Sequence, residues 1–160
     1  MSQQDEPRWA TAYHEAGHCV AGLVTGEHPT KSSIVAGDNY EGATWFDEED
    51  VEALLVDDPP NEAAEWYIIR AFAGPIAEHR QTGGDVSLAA CDDYEQARAL
   101  LRRLTTQTDR LNEALVARTD AILDEHWSAV ERVAAALYEH LTVDRESIEK
   151  AAHLKEGRSR

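Results

Sequence analysis

The stretch Tyr13-His14-Glu15-Ala16-Gly17-His18 lies within an apolar run that includes Ala12, Ala16, Cys19, Val20, Leu23 and Val24, and its periodicity is that of a helix. A helix turns once in about 3.6 residues, so His14 and His18, four positions apart, project from one face and can reach a single divalent metal. Glu15 stands beside them, where a carboxylate can take a proton from an activated water. Two histidines and a glutamate in this HExxH order are the residue types that zinc-assisted hydrolysis needs. With seven histidines in 160 residues, chance placement would produce such a motif with a probability of roughly 0.03, so context has to decide. A surface helix with two solvated histidines is the competing reading. The apolar neighbours argue against it, because polar groups on a buried helix need partners, and a metal is one.

Working outward, the first helix is expected from Pro7, tolerated in an opening turn, to about Thr25, where Gly26 ends it. After His28-Pro29 come two short β-prone runs, Lys31 to Val35 and Gly42 to Phe46. The turn signal Gly37-Asp38-Asn39 separates them, which predicts a small hairpin or sheet edge. Asp47-Glu48-Glu49-Asp50 reads as a solvated charge run rather than a metal cluster, and Asp57-Asp58-Pro59-Pro60 breaks the chain again.

From Asn61 to about Arg80, Ala64, Ile68, Ala71 and Phe72 mark a helix buried on one side, which Gly74-Pro75 should kink or divide. Gln81 to Asp85 reads as a loop. Between Val86 and Glu156 there is no glycine or proline, so the second half reads as nearly all helix. Leu111, Leu115, Ile122, His126, Val130, Val133, Leu137 and Leu141 form a stripe with one seven-residue gap, read as the core face of a long helix. Thr142-Val143-Asp144 ends that helix, and Asp144 can cap a short final one through Leu154. His126, in an apolar stripe, reads as a hydrogen-bonded core residue.

At 17.8 kDa the chain fits one domain, residues 1–154, with a polar tail at 155–160. The net charge of −16 repels phosphates and anionic lipid head groups, so neither nucleic acid nor a membrane surface is an expected partner. The two cysteines, Cys19 and Cys91, form no disulfide framework or zinc knuckle and read as buried apolar residues. The polar, acidic start from Met1 to Pro7 does not resemble a signal peptide. No apolar run reaches the roughly 18 residues of a membrane span, and a cytoplasmic protein is the expectation.

A catalytic zinc usually takes three protein ligands and leaves a fourth position for water. Spacing alone does not rank the candidates for the third: His79, Asp85, Asp92, Asp93, Glu95 and His126. A resemblance does. His14-Glu15-Ala16-Gly17-His18 resembles the HEAGH of the peptidase domain of FtsH-type ATP-dependent zinc metalloproteases. Ile34-Val35-Ala36-Gly37, then Gly42-Ala43-Thr44 and Phe46 to Asp50, are similar to its strand pair, with a Gly-x-Thr run before an acidic turn. Ala73-Gly74-Pro75-Ile76-Ala77-Glu78 is similar to its Gly-Arg-x-Ala-Glu segment, with Pro75 in place of the usual arginine. Asp92-Asp93-Tyr94-Glu95-Gln96-Ala97 resembles its Asn-Asp-Leu-x-x-Ala helix, and Ala121 to Leu137 its long C-terminal helix.

The resemblance implies a mainly α, zincin-like fold with a small β element, a Zn2+ ion, and metal ligands His14, His18 and Asp93 with Glu15 as general base. A carboxylate early in a helix lies near unpaired backbone N–H groups that favour its charge. Asp92 would point about 100° away around the helix, so the two aspartates are not interchangeable. The implied activity is endopeptidase hydrolysis. The 160 residues contain no Gly-x-x-x-x-Gly-Lys-Ser/Thr loop, and only a few precede the first helix, so neither the family's ATPase nor its membrane anchor is expected. Such a chain is expected to act on peptides or unfolded segments without ATP, or to rely on a separate unfolding ATPase, and a homo-oligomer is compatible with it. The strand at Gly42 to Phe46 is expected to pair with extended substrate. The rival reading is a non-catalytic zinc-containing module that binds peptides or partners on the same scaffold. An all-helical adaptor without metal would require both the motif and the resemblance to be accidental.

Overall fold

Helix α1 (Glu6–Thr25) is the element around which the others assemble, and its middle is buried from Ala12 onward. It ends where the Thr25 hydroxyl turns back to the carbonyls of Ala21 and Gly22, at 3.0 Å each, and Gly26 takes a φ of +87°. The structure is a computed structural model that describes residues 6–38, 41–47, 62–83 and 92–154. Within them follow β1 (Pro29–Ser33), β2 (Ala43–Phe46), α2 (Glu62–Thr82), α3 (Asp92–Leu104), α4 (Thr108–Glu125), α5 (Trp127–His140), β3 (Thr142–Asp144) and α6 (Arg145–Ala152). The fold is mainly helical with one small antiparallel sheet, as expected. Cys91, Asp85, Glu48 to Asp50, Asp57 to Pro60 and the tail from Lys155 lie outside the described residues.

The core lies where α1 crosses α2 and α5. Ala12, Ala16, Cys19 and Val20 of α1 meet Ile68, Ile69, Phe72 and Ala73 of α2, with Val130, Val133 and Leu137 of α5 closing the other side. Each large side chain fully withdrawn from water here contributes about 1.5–3 kcal/mol. The α1–α2 crossing is unusually close. A Cβ on Gly17 would lie 2.4 Å from the Ala73 carbonyl oxygen and 2.8 Å from the Ala77 Cβ, so only glycine lets these backbones meet. Cys19 is fully buried with its Sγ 3.8 Å from the Thr44 hydroxyl of β2, and burial pushes its thiol up to about 12.

Gly74-Pro75 does not divide α2, which continues to Thr82 with both residues buried against its neighbours. Tertiary packing supplies most helix stability in proteins and here outweighs the proline penalty. The stripe from Leu111 to Leu141 is two helices rather than one. At His126 the backbone leaves the helical region (φ −111°, ψ 18°), its N–H bonding back to Ile122 while its carbonyl receives the N–H groups of Ala129 and Val130. The break seats the Trp127 ring against Tyr13 of α1, 5.6 Å between centroids. Thr119, fully buried with its hydroxyl on the Leu115 carbonyl at 2.7 Å, fills the gap in the stripe. His126 itself is only half-buried, and Leu141 is exposed at a φ of 65°.

The sheet has the order β2-β1-β3, with both pairings antiparallel. The expected strand pair is present. However, β1 begins at Pro29 and stops before Ile34 and Val35, two residues earlier at each end than the sequence pattern implied. Thr142 to Asp144, read from sequence as a helix terminus, is the third strand, Ser32 facing both Thr44 and Val143 across β1. Asp144 also caps α6, accepting the Ser147 N–H at 3.0 Å, a bond that lowers its carboxyl pKa. Among the described residues no helix is long and apolar enough to cross a membrane.

Candidate metal centre

Helices α1 and α2 run side by side in opposite directions, so four-residue steps on one face the same steps on the other. On α1 these are His14 and His18; on α2 they are Arg70, Gly74 and Glu78. His14 Nδ1 lies 2.8 Å from Glu78 Oε2, and His18 Nδ1 lies 2.9 Å from the Arg70 carbonyl oxygen. Carboxylates and carbonyls only accept, so in both rings Nδ1 is the donor. With Nδ1 protonated, a neutral ring carries its lone pair on Nε2.

Both lone pairs meet a carboxylate. Asp93, the second residue of α3, places Oδ2 at 3.1 Å from His14 Nε2 and 3.5 Å from His18 Nε2. One ligand atom from each of the three residues lies within 4.8 Å of the others. Three electron-pair donors do not converge without a cation among them, and a proton or a metal ion can fill that role. Burial disfavours a charge on His14, but hydrogen bonds to Asp93 and Glu78 outweigh it and push its pKa up to about 10. Burial likewise opposes ionisation of Asp93, yet both imidazoles hold it well below the usual carboxylate range.

The residues present fit a metal. Two imidazole nitrogens and one carboxylate oxygen make the three-ligand set of a catalytic zinc site. The Nδ1 contacts to Glu78 and Arg70 are the outer partners that fix imidazole tautomer and orientation in such sites. The fit is also steric: a Cβ on Gly74 would lie 2.3 Å from His18 Nε2, so α2 has no side chain where the ring must sit. Gly74→Ala should therefore displace the His18 ring and weaken zinc binding by about 10- to 100-fold, the range for groups that orient metal ligands. Competition against a chromogenic chelator measures this, and an affinity equal to wild type would refute it.

Glu15 is buried beside the histidines. Burial raises its pKa, opposed by His18 and His14 and by the Thr44 hydroxyl, which donates to Oε2 at 2.7 Å. A cleft of about 830 Å³ opens over these groups, lined by His14, Glu15, His18 and Asp93, with Thr44 and Phe46 of β2 along one wall. The Arg70 guanidinium lies over the Phe46 ring at 4.0 Å and pairs with Glu27.

Of the sequence candidates, the structure brings together His14, His18, Glu15 and Asp93. Asp92 lies at the cleft but is exposed, and His79 and Glu95 are exposed. His126 lies at the α4–α5 junction, outside the cluster. Asp47 is exposed and pairs with Arg145 at 3.0 Å. The sequence reading gives no role at the metal site to Glu78, Gly74, the Arg70 carbonyl or Thr44, although Gly74, Glu78 and Thr44 lie in segments that carry the resemblance. The four-residue spacing of 70, 74 and 78, matching that of the histidines, was a usable signal for the first three.

No family profile matches the chain. Among curated relatives, the ATP-dependent zinc metalloprotease FtsH 1 of Symbiobacterium thermophilum is 29% identical over 94% of this chain and 30% of its own length. The FtsH of Buchnera aphidicola subsp. Schizaphis graminum is 30% identical over 75% of this chain and 20% of its own length. That of Haemophilus influenzae is 29% identical over 67% and 17%. The chain thus spans less than a third of the length of these relatives. At about 30% identity over most of its length, it is related to a part of the ATP-dependent zinc metalloproteases named FtsH.

Proposed function

We propose that this chain is a zinc-dependent endopeptidase acting on peptides and unfolded polypeptides, with His14, His18 and Asp93 as metal ligands and Glu15 as general base. The observation that carries the reading is the convergence of the His14 and His18 Nε2 atoms and one Asp93 carboxylate oxygen within 4.8 Å, in an open cleft that Glu15 also lines. Zinc held there would polarise the scissile carbonyl and lower the pKa of an attacking water toward about 7. Glu15 takes the proton from that water as its oxygen bonds to the carbonyl carbon, then delivers it to the amine as the C–N bond breaks. Glu78 and the Arg70 carbonyl keep the imidazoles in register throughout.

Strand β2 supports an extended substrate. It is an edge of the sheet, paired only with β1 among the described residues, and it borders the cleft. An unfolded segment added along it would gain backbone hydrogen bonds common to every peptide, which gives broad sequence tolerance. A folded domain presents no such segment, because about 5–15 kcal/mol separates it from its unfolded state, so cutting one needs a separate unfolding ATPase. Purified, zinc-loaded protein should cleave casein without ATP, lose that activity to a chelator, and spare a stable folded domain. Zinc-loaded protein that cuts neither casein nor any member of a broad peptide library would leave the non-catalytic binding module as the better reading.

A further inference from the structure

We propose that Thr44 is the positioning residue for Glu15, and that its hydroxyl, itself oriented by Ser32, holds one carboxylate oxygen so that the other is free for the attacking water. This rests on the reading of Glu15 as the general base.

The proton arithmetic makes the chain of bonds directional. Thr44 Oγ1 lies 2.7 Å from Glu15 Oε2, 3.3 Å from the Glu15 carbonyl oxygen and 2.8 Å from Ser32 Oγ. A hydroxyl has one proton, and both Glu15 oxygens only accept, so the Thr44 proton points to Glu15 and Ser32 donates to Thr44. Ser32 and Thr44 are direct partners in the β1–β2 register, which fixes the two hydroxyls on one face of the sheet, toward α1. Ser32 is fully buried. Burying a hydroxyl pair is costly unless its bonds are completed, and this pair is completed by the carboxylate.

The other carboxylate oxygen is treated differently. Its neighbour on the same chain segment is Gly42, where a Cβ would come within 2.8 Å of Glu15 Oε1. One oxygen is therefore gripped by the strand, and the other borders a position that carries no side chain. Packing alone asks for neither: valine has the shape of threonine and suits a strand better than a hydroxyl does.

The test uses the full chain and three substitutions. Thr44→Val should lower kcat on a casein-derived peptide by about 10- to 100-fold, the value of a hydrogen bond to a charged group, with KM and bound zinc unchanged. Thr44→Ser should restore most of the loss. The Glu15 carboxylate stretch, identified as the infrared band missing from Glu15→Gln, should shift in Thr44→Val and stay in place in Thr44→Ser. If Glu15→Gln is inactive while Thr44→Val keeps wild-type kcat, the positioning role falls and the general-base reading stands. If Glu15→Gln keeps full turnover, both fall. A rise in KM or a loss of zinc with kcat intact marks a role in the sheet alone and overturns the proposal. So does an unshifted Glu15 band in Thr44→Val, whether or not any substrate is turned over.

Discussion

Replacing Glu15 by Gln should leave one zinc per chain in place and lower turnover of casein by about a hundredfold to ten thousandfold, the usual contribution of a positioned acid–base group. The amide is nearly isosteric with the carboxylate and can still accept the Thr44 hydroxyl bond, so the cleft keeps its shape. It loses the negative oxygen that accepts a proton from water. The three atoms that converge on the metal position come from His14, His18 and Asp93, none of which is altered. Metal content and rate should therefore separate cleanly: zinc by elemental analysis unchanged, kcat reduced, secondary structure by circular dichroism the same. Equal activity in wild type and Glu15→Gln would remove the general base from the mechanism and favour a binding module that retains zinc.

The second large effect is on metal itself. His18→Ala should remove most of the bound zinc, because it deletes one of three ligands, and the two that remain, His14 and Asp93, lie on different helices and no longer close a site. Asp93→Ala should behave in the same way. Asp92→Ala should leave zinc nearly unchanged, since Asp92 is exposed beside the cleft and contributes no atom to the converging set. Zinc-to-protein ratios after dialysis against a weak chelator distinguish these variants. Stoichiometric zinc in His18→Ala, or loss of zinc in Asp92→Ala but not in Asp93→Ala, would show that the ligands have been assigned wrongly.

The general base and the metal ligands differ in how much of their geometry is local in the chain. The pair His14 and His18 with Glu15 between them is a local pattern, complete within one helical turn and a fraction. Its geometry follows from 3.6-residue periodicity once the run is known to be helical. The termini are equally local, with Gly26 ending α1 and Asp144 opening α6 by a side-chain bond to a backbone N–H three residues on. The third member of the cluster is another matter. His14 and Asp93 are 79 residues apart in the chain, and His14 and Glu78 are 64 apart. No periodicity connects residues at such distances, and resemblance alone singled out Asp93.

The same limit applies to other long-range features of the fold. Thr142 to Asp144 looked like a helix terminus because three residues carry too little pattern to announce a strand; it is one because β1 offers it a free edge. The stripe from Leu111 to Leu141 keeps helical spacing across His126, and spacing cannot register a change of axis. The break appears in the His126 backbone, and beyond it Trp127 stacks on Tyr13 of α1. Gly74-Pro75 does not divide α2, whose burial against its neighbours carries the helix on to Thr82. The helical face that carries His14, Glu15 and His18, and the positions where α1 ends and α6 begins, are legible in the residues alone, because each depends on bonds within a few residues; the net charge of −16 is a property of composition. Long-range packing selects which carboxylate meets the histidines, which groups hold their Nδ1 atoms, and that Thr44 grips Glu15. Those contacts are set by how closely α1 and α2 approach through Gly17 and Gly74, and by where β2 lies against α1.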